Sequence, residues 1–200
     1  AEKFATRALE GNIEQLGSHD PRTMNATNVL AQILVALEKY SDAIPLLCRV
    51  LHNNETKRGV DHKFSMFSRF SLASIYLKIN DIDAAEPLLR QIVLGNEKTE
   101  GLLGSKTLNS RNTLAVALMQ RGSQEDLDEA GMLFDQLMTA NIQVFGCDDF
   151  RTLSVKQNVI IVRKRMTNLK VLTKRRWIMF VAIGVAWGAE LGSKLWNCRM

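Results

Sequence analysis

The sequence predicts an all-α chain folded as an α-α superhelix, a solenoid of antiparallel helix pairs, on three observations. First, Leu30-Ala31 returns as Leu72-Ala73 and again as Leu114-Ala115, two steps of 42 residues; an internal period of about 20 to 50 residues marks solenoids and arrays. Second, apolar residues inside the period keep helical spacing: Val29, Leu30, Ile33, Leu34 and Leu37, then Ile44, Leu47, Val50 and Leu51. Third, Gly17, Gly59, Gly101 and Gly146 close successive units, and Thr23, Ser65, Thr107 and Thr152 follow each glycine at the same distance. One helix pair is too small to bury its apolar face, so neighbouring units must complete one another's core.

Taken in order, Ala1 stands in the column of Ala43 and Ala85, so residues 1–17 read as the second helix of a unit whose first helix lies outside the sequence, as in a fragment of a longer protein. Units follow at about 18–59, 60–104 and 105–146, with a partial unit at 147–165. In the first unit Asn25 to Glu38 is expected as helix A and Ala43 to Leu51 as helix B. Lys39-Tyr40-Ser41 is expected as the turn between them, then Asn80-Asp81-Ile82 in the second unit and Gly122 in the third. Asp20 before Pro21 is a helix start, because proline lacks an N–H that would be unpaired there anyway. Ala85 to Ala130 spans 45 residues rather than 42, which places a three-residue insertion near Ser123-Gln124-Glu125. Leu172 occupies the column where a small residue should open helix B, and the repeat decays there. Residues 166–200 form a separate basic, then apolar, C-terminal segment.

The columns themselves resemble a tetratricopeptide unit. Helix A carries a Leu-small pair (Leu30-Ala31), the turn an aromatic or apolar residue (Tyr40, Ile82), and helix B opens on a small residue (Ala43, Ala85, Ala130) followed by Leu47, Leu89 or Phe134. The 42-residue form, with the linker Leu16-Gly17-Ser18-His19-Asp20-Pro21-Arg22-Thr23-Met24, is similar to the kinesin light chain subfamily, over Ala1 to about Arg165. The second linker keeps only Asp61-His62 and Ser65-Met66, and the third Leu103-Gly104 and Thr107-Leu108.

Composition suits a helical scaffold: 200 residues, 46% hydrophobic, 3 prolines. The formal net charge of +5 divides unevenly. Residues 1–149 hold 15 Lys+Arg against 20 Asp+Glu, a net of −5, whereas residues 150–200 hold 11 basic residues against Glu190 alone, a net of +10. Such a basic tail suits a membrane, nucleic acid or an acidic partner, although Arg163-Lys164-Arg165 by itself reads as a solvated helix face. Cys48, Cys147 and Cys198 are odd in number and share no ligand spacing, so neither a disulfide framework nor a zinc site is indicated and a reducing compartment is the default. His19, His52 and His62 form no metal pair and are assigned to linker packing or exposure. No nucleophile motif, phosphate-cradling loop or positioned carboxylate pair is present, so the chain is read as non-catalytic, with no cofactor and no metal.

The resemblance implies that the first helices line a concave, peptide-binding groove. By register its walls are Asn25, Asn28 and Gln32 in the first unit, then Phe67, Phe70 and Ser74. Asn109, Asn112 and Val116 follow in the third, with Ser154, Gln157 and Ile161 in the fourth. Carboxamides suit an extended peptide's backbone, since each both donates and accepts. Phe67 and Phe70 are either groove anchors or core, and Phe64 is expected to pack into the interface with the preceding unit. Arg69, Arg111 and Lys156 form a second column, either a basic stripe beside the groove or side chains whose stems pack against a neighbour. The Lys/Asn/Arg clamp by which related repeats hold chaperone carboxyl termini is not matched, because Asn28, Gln32 and Thr113 stand there.

The expected function is therefore a protein-interaction module, an adaptor or scaffold with a protein or peptide ligand, cytoplasmic, with nucleic acid not expected as a partner. The alternative is a repeat region of a larger receptor or regulatory protein, anchored to a membrane with its repeats facing the cytosol. That alternative rests on residues 177–196. Lys174-Arg175-Arg176 precedes 13 residues without a charge, Trp177 to Ala189, shorter than the roughly 20 apolar residues of a spanning helix. Gly184, Gly188 and Gly192 repeat every fourth residue, a pattern suited to close helix packing in membranes. A helix capping the solenoid and a membrane anchor both remain open. Exposed solenoid ends also make self-association an expected property.

Overall fold

The computed structural model describes residues 1–172, and these form helices joined by short linkers. They are α1 (Glu2–Leu16), α2 (Pro21–Ala36), α3 (Tyr40–Arg58), α4 (Lys63–Lys78), α5 (Ile82–Glu100), α6 (Ser105–Arg121) and α7 (Gln124–Phe145), followed by α8 over residues 150–172. Each helix packs chiefly on its neighbours in sequence, as an array of helix pairs requires. The even-numbered helices are the A helices of the units and the odd-numbered ones the B helices.

One device builds every joint from a B helix to the next A helix. Gly17, Gly59, Gly101 and Gly146 follow α1, α3, α5 and α7 with φ of 81°, 91°, 75° and 90° and extended ψ, a region that side-chain-bearing residues rarely adopt. The carbonyl so turned accepts from the hydroxyl six residues on. Thr23 Oγ1 reaches Gly17 O at 2.8 Å, Ser65 Oγ reaches Gly59 O at 2.7 Å, and Thr107 and Thr152 repeat the bond at 2.8 Å each. The hydroxyl column thus ties the first turn of each A helix to the end of the B helix before it. All four hydroxyl residues are buried.

The caps of the A helices share a column but differ in chemistry. Asp20 accepts from the Arg22 amide and Asp149 from the Arg151 amide, and between them His62 uses Nδ1 to accept from the Phe64 amide at 3.3 Å. Gly104 has no side chain to offer, and the Glu100 carboxylate takes its place by accepting from the Lys106 amide at 3.0 Å. The side-chain and backbone bonds from Arg151 hold the Asp149 carboxyl at about 2.

The core is one-dimensional. Leu30, Leu72 and Leu114 are all at least nine-tenths buried, as are the small residues that adjoin them and those that open helix B. Leu9, Leu30, Leu34, Leu47, Leu51 and Leu72 make one cluster, and a second runs from Ala73 through Leu89, Leu118, Phe134 and Leu137 to Val162. Leu169 packs against the second cluster too, so the apolar seam continues beyond residue 165. The helix likewise passes through that residue without a break.

The helix limits differ from the periodic reading. Helix A of the first unit is Pro21–Ala36 and helix B is Tyr40–Arg58, about two turns longer at its C-terminal end than the apolar spacing indicates. The extra length, His52 to Arg58, is polar because only one side of it packs. The turn is Leu37-Glu38-Lys39 rather than Lys39-Tyr40-Ser41, and its left-handed residue is Glu38, with φ 58°. The second unit repeats it with Asn80, also at 58°. The three-residue insertion is not a loop. At 22 residues against 19 for α3 and α5, α7 takes it up as extra helix at its N-terminus, started by a reciprocal capping box between Ser123 and Asp126.

Ion pairs also lace α5, α6 and α7 together. Arg90 on α5 makes a fork to both oxygens of Glu129 on α7 at 2.7 Å each, and also bonds Glu86. Arg121 at the end of α6 bonds Asp83, Glu86 and Asp126. The Arg121 bond holds the Asp126 carboxyl well below the carboxylate range, and raises the guanidinium in turn. Of the basic run on α8, Arg163 pairs with Asp135 at 2.9 Å and Arg165 donates to the Met119 carbonyl at 2.7 Å, while all three residues stay exposed.

Cys48 and Cys147 are exposed free thiols. No group of side chains among the described residues could hold a metal ion, and no helix among them is long and apolar enough to cross a membrane. The segment 177–196, with Cys198, lies outside the described residues.

Candidate functional site

The A helices stand side by side, and each consecutive pair encloses a cleft floored by the C-terminal half of the B helix between them. The first cleft, about 280 Å³, lies between α2 and α4 over α3, with Asn25, Asn28, Asn54, Phe64 and Phe67 among its walls. The second, about 780 Å³, lies between α4 and α6 over α5 and includes Phe67, Phe70, Gly95, Asn96 and Asn109. The third, about 210 Å³, lies between α6 and α8 over α7, where Asn109, Asn112, Asn141, Phe145 and Ser154 meet. Phe67 borders the first two clefts and Asn109 the last two, so the three form a continuous row.

The middle cleft has the largest volume of the three, and Gly95 forms part of its floor. A Cβ there would stand 2.7 Å from the Met66 side chain, so glycine lets Met66 pack against α5. The equivalent positions hold Asn53 in the first unit and Ala140 in the third.

Seven of the residues assigned to the groove by register line these clefts: Asn25, Asn28, Phe67, Phe70, Asn109, Asn112 and Ser154. Phe67 is 57% exposed and Phe70 50%, so neither belongs to the core. Phe64 departs from expectation. It is 46% exposed and forms a wall of the first cleft, with the Arg58 guanidinium stacked 4.5 Å above its ring. Gln32 and Gln157 are exposed but line none of the three clefts. Ser74 turns its hydroxyl back to the Phe70 carbonyl at 2.8 Å, and Val116 packs against the core.

The basic stripe is not a stripe of free charge. Arg69 is 2% exposed and its guanidinium is paired with Glu55, with further bonds to the Val60 carbonyl and the Met66 sulfur. Arg111 reaches Glu97 through both Nε and Nη2, at 2.9 and 2.7 Å. Only Lys156 is exposed. Each arginine bridges an A helix to the B helix before it, so the column is an internal tie at the two middle joints. The outer joints lack it, because Thr27 faces the register position of Ile13, and Lys156 that of Ile142.

A second column escaped the sequence reading. Asn12, Asn54, Asn96 and Asn141 follow the same steps of 42, 42 and 45 residues on the B helices. Asn54 Nδ2 donates to Ser68 Oγ at 2.9 Å, and Asn96 Nδ2 to Ser110 Oγ at 3.2 Å. These bonds tie the cleft floors to the next A helix.

Solved structures share this fold. Two crystal structures from Podosopora anserina, described as nearly identical TPR-like repeats of kinesin light chain type, superpose with TM-scores of 0.70 and 0.67. They are 20% and 19% identical, covering 86% and 87% of this chain and 80% and 87% of theirs. BtubC (BKLC) from P. vanneervenii matches at a TM-score of 0.57 and 19% identity, over 82% of this chain and 67% of its own. The chain is a TPR-like repeat solenoid. No protein-family model and no curated protein matches it.

Proposed function

We propose that this TPR-like solenoid is a non-catalytic binding module whose A-helix groove takes an extended segment of a protein partner, as an adaptor or scaffold in the cytosol. The observation that carries the reading is Phe67, a large apolar ring 57% exposed on the ridge between two clefts. Contiguous exposed apolar surface rimmed by polar groups marks interaction sites, and here Phe64, Phe67 and Phe70 lie together with Asn25, Asn28 and Asn109 around them. An extended chain would set side chains against the rings and its main chain against the carboxamides. Exposed, unpaired Cys48 and Cys147 are in keeping with a reducing compartment.

The test is selection of 12-residue peptides from a displayed library on the purified chain, followed by anisotropy with the selected sequences. Phe67→Ala should weaken binding about 30-fold, the effect of truncating an aromatic anchor worth about 2 kcal/mol, without altering the melting curve. Selected peptides that bind Phe67→Ala and Asn112→Ala as tightly as the parent would overturn the groove reading and leave the fold untouched.

A further inference from the structure

The three clefts differ in how their cations are neutralised. At the joints α3/α4, α5/α6 and α7/α8 the same two register positions meet, and they are filled in three ways. At the second of these joints Lys106 pairs with Glu100. At the third Arg151 stacks 3.4 Å over the Phe145 ring while Asp149 bonds its guanidinium at 2.8 and 2.9 Å. At the first, Arg58 lies 4.5 Å over the Phe64 ring, and no carboxylate among the described residues pairs with it.

Two more cations stand beside Arg58. Lys57 lines the same cleft and donates only to the His19 carbonyl, and Lys63, on the border with the second cleft, lies 5.3 Å over the Phe64 ring. All three are exposed, so a ligand can reach them, and no carboxylate lines the first cleft. Its walls add neutral donors: Asn28 and Asn53 are half-buried there, and neither carboxamide is bonded to another described residue. A guanidinium laid flat on a ring keeps its N–H edge for paired oxygens. Cations without counter-charge beside carboxamide donors suit anionic oxygens.

The amount of charge narrows the anion. A carboxylate would offset one of the three cations, whereas a phosphate monoester carries about −1.5 to −2 and three acceptor oxygens. We propose that the cleft between α2, α3 and α4 seats a phosphorylated serine or threonine of the ligand. Arg58 and Lys57 hold the phosphate, Asn28 and Asn53 donate to it from the walls, and Lys63 adds charge at the border. The assignment rests on the groove reading above and fixes the ligand's register, with the phosphate at this end and apolar side chains on Phe67 and Phe70 next to it.

Four small compounds test the seat on the full chain without a peptide ligand: N-acetyl-phosphoserine methylamide, its serine and glutamate counterparts, and inorganic phosphate. In ¹H–¹⁵N spectra at low salt, the phosphoserine compound should give saturable shifts of the Arg58 Nε–H signal and of the Asn28 and Asn53 side-chain signals. The glutamate compound should bind about 5-fold more weakly, and the serine compound should not saturate. Arg58→Gln and Lys57→Gln should each weaken the phosphoserine compound about 5-fold or more. Lys164→Gln, which removes the same charge from an exposed site on α8, should leave it unchanged. The serine or glutamate compound binding as tightly as phosphoserine, saturation by inorganic phosphate without saturation by phosphoserine, no saturable shift at all, or equal losses in all three variants overturns the proposal. The selected peptides that test Phe67 carry no phosphate, so a failed seat leaves that anchor in place and the two readings fail separately.

Discussion

Removing Glu55 should unfold the solenoid's first middle joint by stranding a charge. Arg69 has a side chain only 3% exposed, with Glu55 as its counter-charge at 28% exposed. In Glu55→Ala the guanidinium would keep its bonds to the Val60 carbonyl and the Met66 sulfur, but neither neutralises it. Breaking a buried pair by deleting one member costs about 3 to 5 kcal/mol. Partial exposure of the carboxylate puts this case near the lower end, at about 3 kcal/mol. Glu97→Ala should cost less, about 2 kcal/mol, because the Arg111 side chain is 18% exposed and water can reach it. The decisive variant is the double one. Arg69→Met keeps the buried stem and removes the charge, so Glu55→Ala/Arg69→Met should recover most of the loss, as apolar replacements of buried pairs do. Urea denaturation followed by circular dichroism measures all of these. A loss below about 1 kcal/mol for Glu55→Ala, or a double variant no more stable than that single one, would refute the stranded-charge account.

Three further outcomes are expected. Leu72→Ala and Leu114→Ala, at equivalent positions each 3% exposed, should each cost about 2 to 5 kcal/mol in urea; unequal losses well outside that range would contradict the equivalence of the units. Gly59→Ala should cost about 1 to 3 kcal/mol from backbone strain alone, since a Cβ there meets nothing within 4 Å while φ is 91°, and a melting point equal to the parent's would show that the joint can relax. The Asp126 carboxyl is depressed by Arg121, from an ordinary value of 3.8, so its contribution is present above that value and lost as pH falls below it; Arg121→Gln should therefore flatten the acid limb of a stability-against-pH curve below about pH 4, and an unchanged limb would remove the Arg121–Asp126 bond as its cause.

The period made the fold legible, because each joint spends a glycine and a hydroxyl on the same bond and so prints two columns at a fixed distance. Helix limits were less legible. Periodicity detects only the packed side of a helix, and His52 to Arg58 turns mostly polar side chains outward. The A-to-B turn was misplaced because its left-handed residue is Glu38, where composition would have sought glycine. The arginine column was readable as an ion pair, since Glu55 and Glu97 each stand fourteen residues before their partners and vanish together in the outer units. The asparagine column obeyed the same period, but Asn on a B helix carries no apolar signal, and its meaning depends on a serine or valine in the next unit. That Asn112 and Asn141 share one cleft could come only from the structure.

The uneven distribution of the arginine tie has a mechanical consequence. The boundaries α3/α4 and α5/α6 each carry both the glycine–hydroxyl staple and the arginine–glutamate pair, whereas α1/α2 carries the staple without that pair and α7/α8 has in its place only the exposed Arg163–Asp135 pair. In a one-dimensional array, stiffness is set joint by joint. An exposed pair adds little, so the middle of the groove, where Phe67 and Phe70 stand, should be the stiffer span and its two ends the more compliant ones. A long ligand would meet a fixed centre and flanks that pivot about their glycines to follow its course, and amide exchange should start at the flanks and reach the centre last.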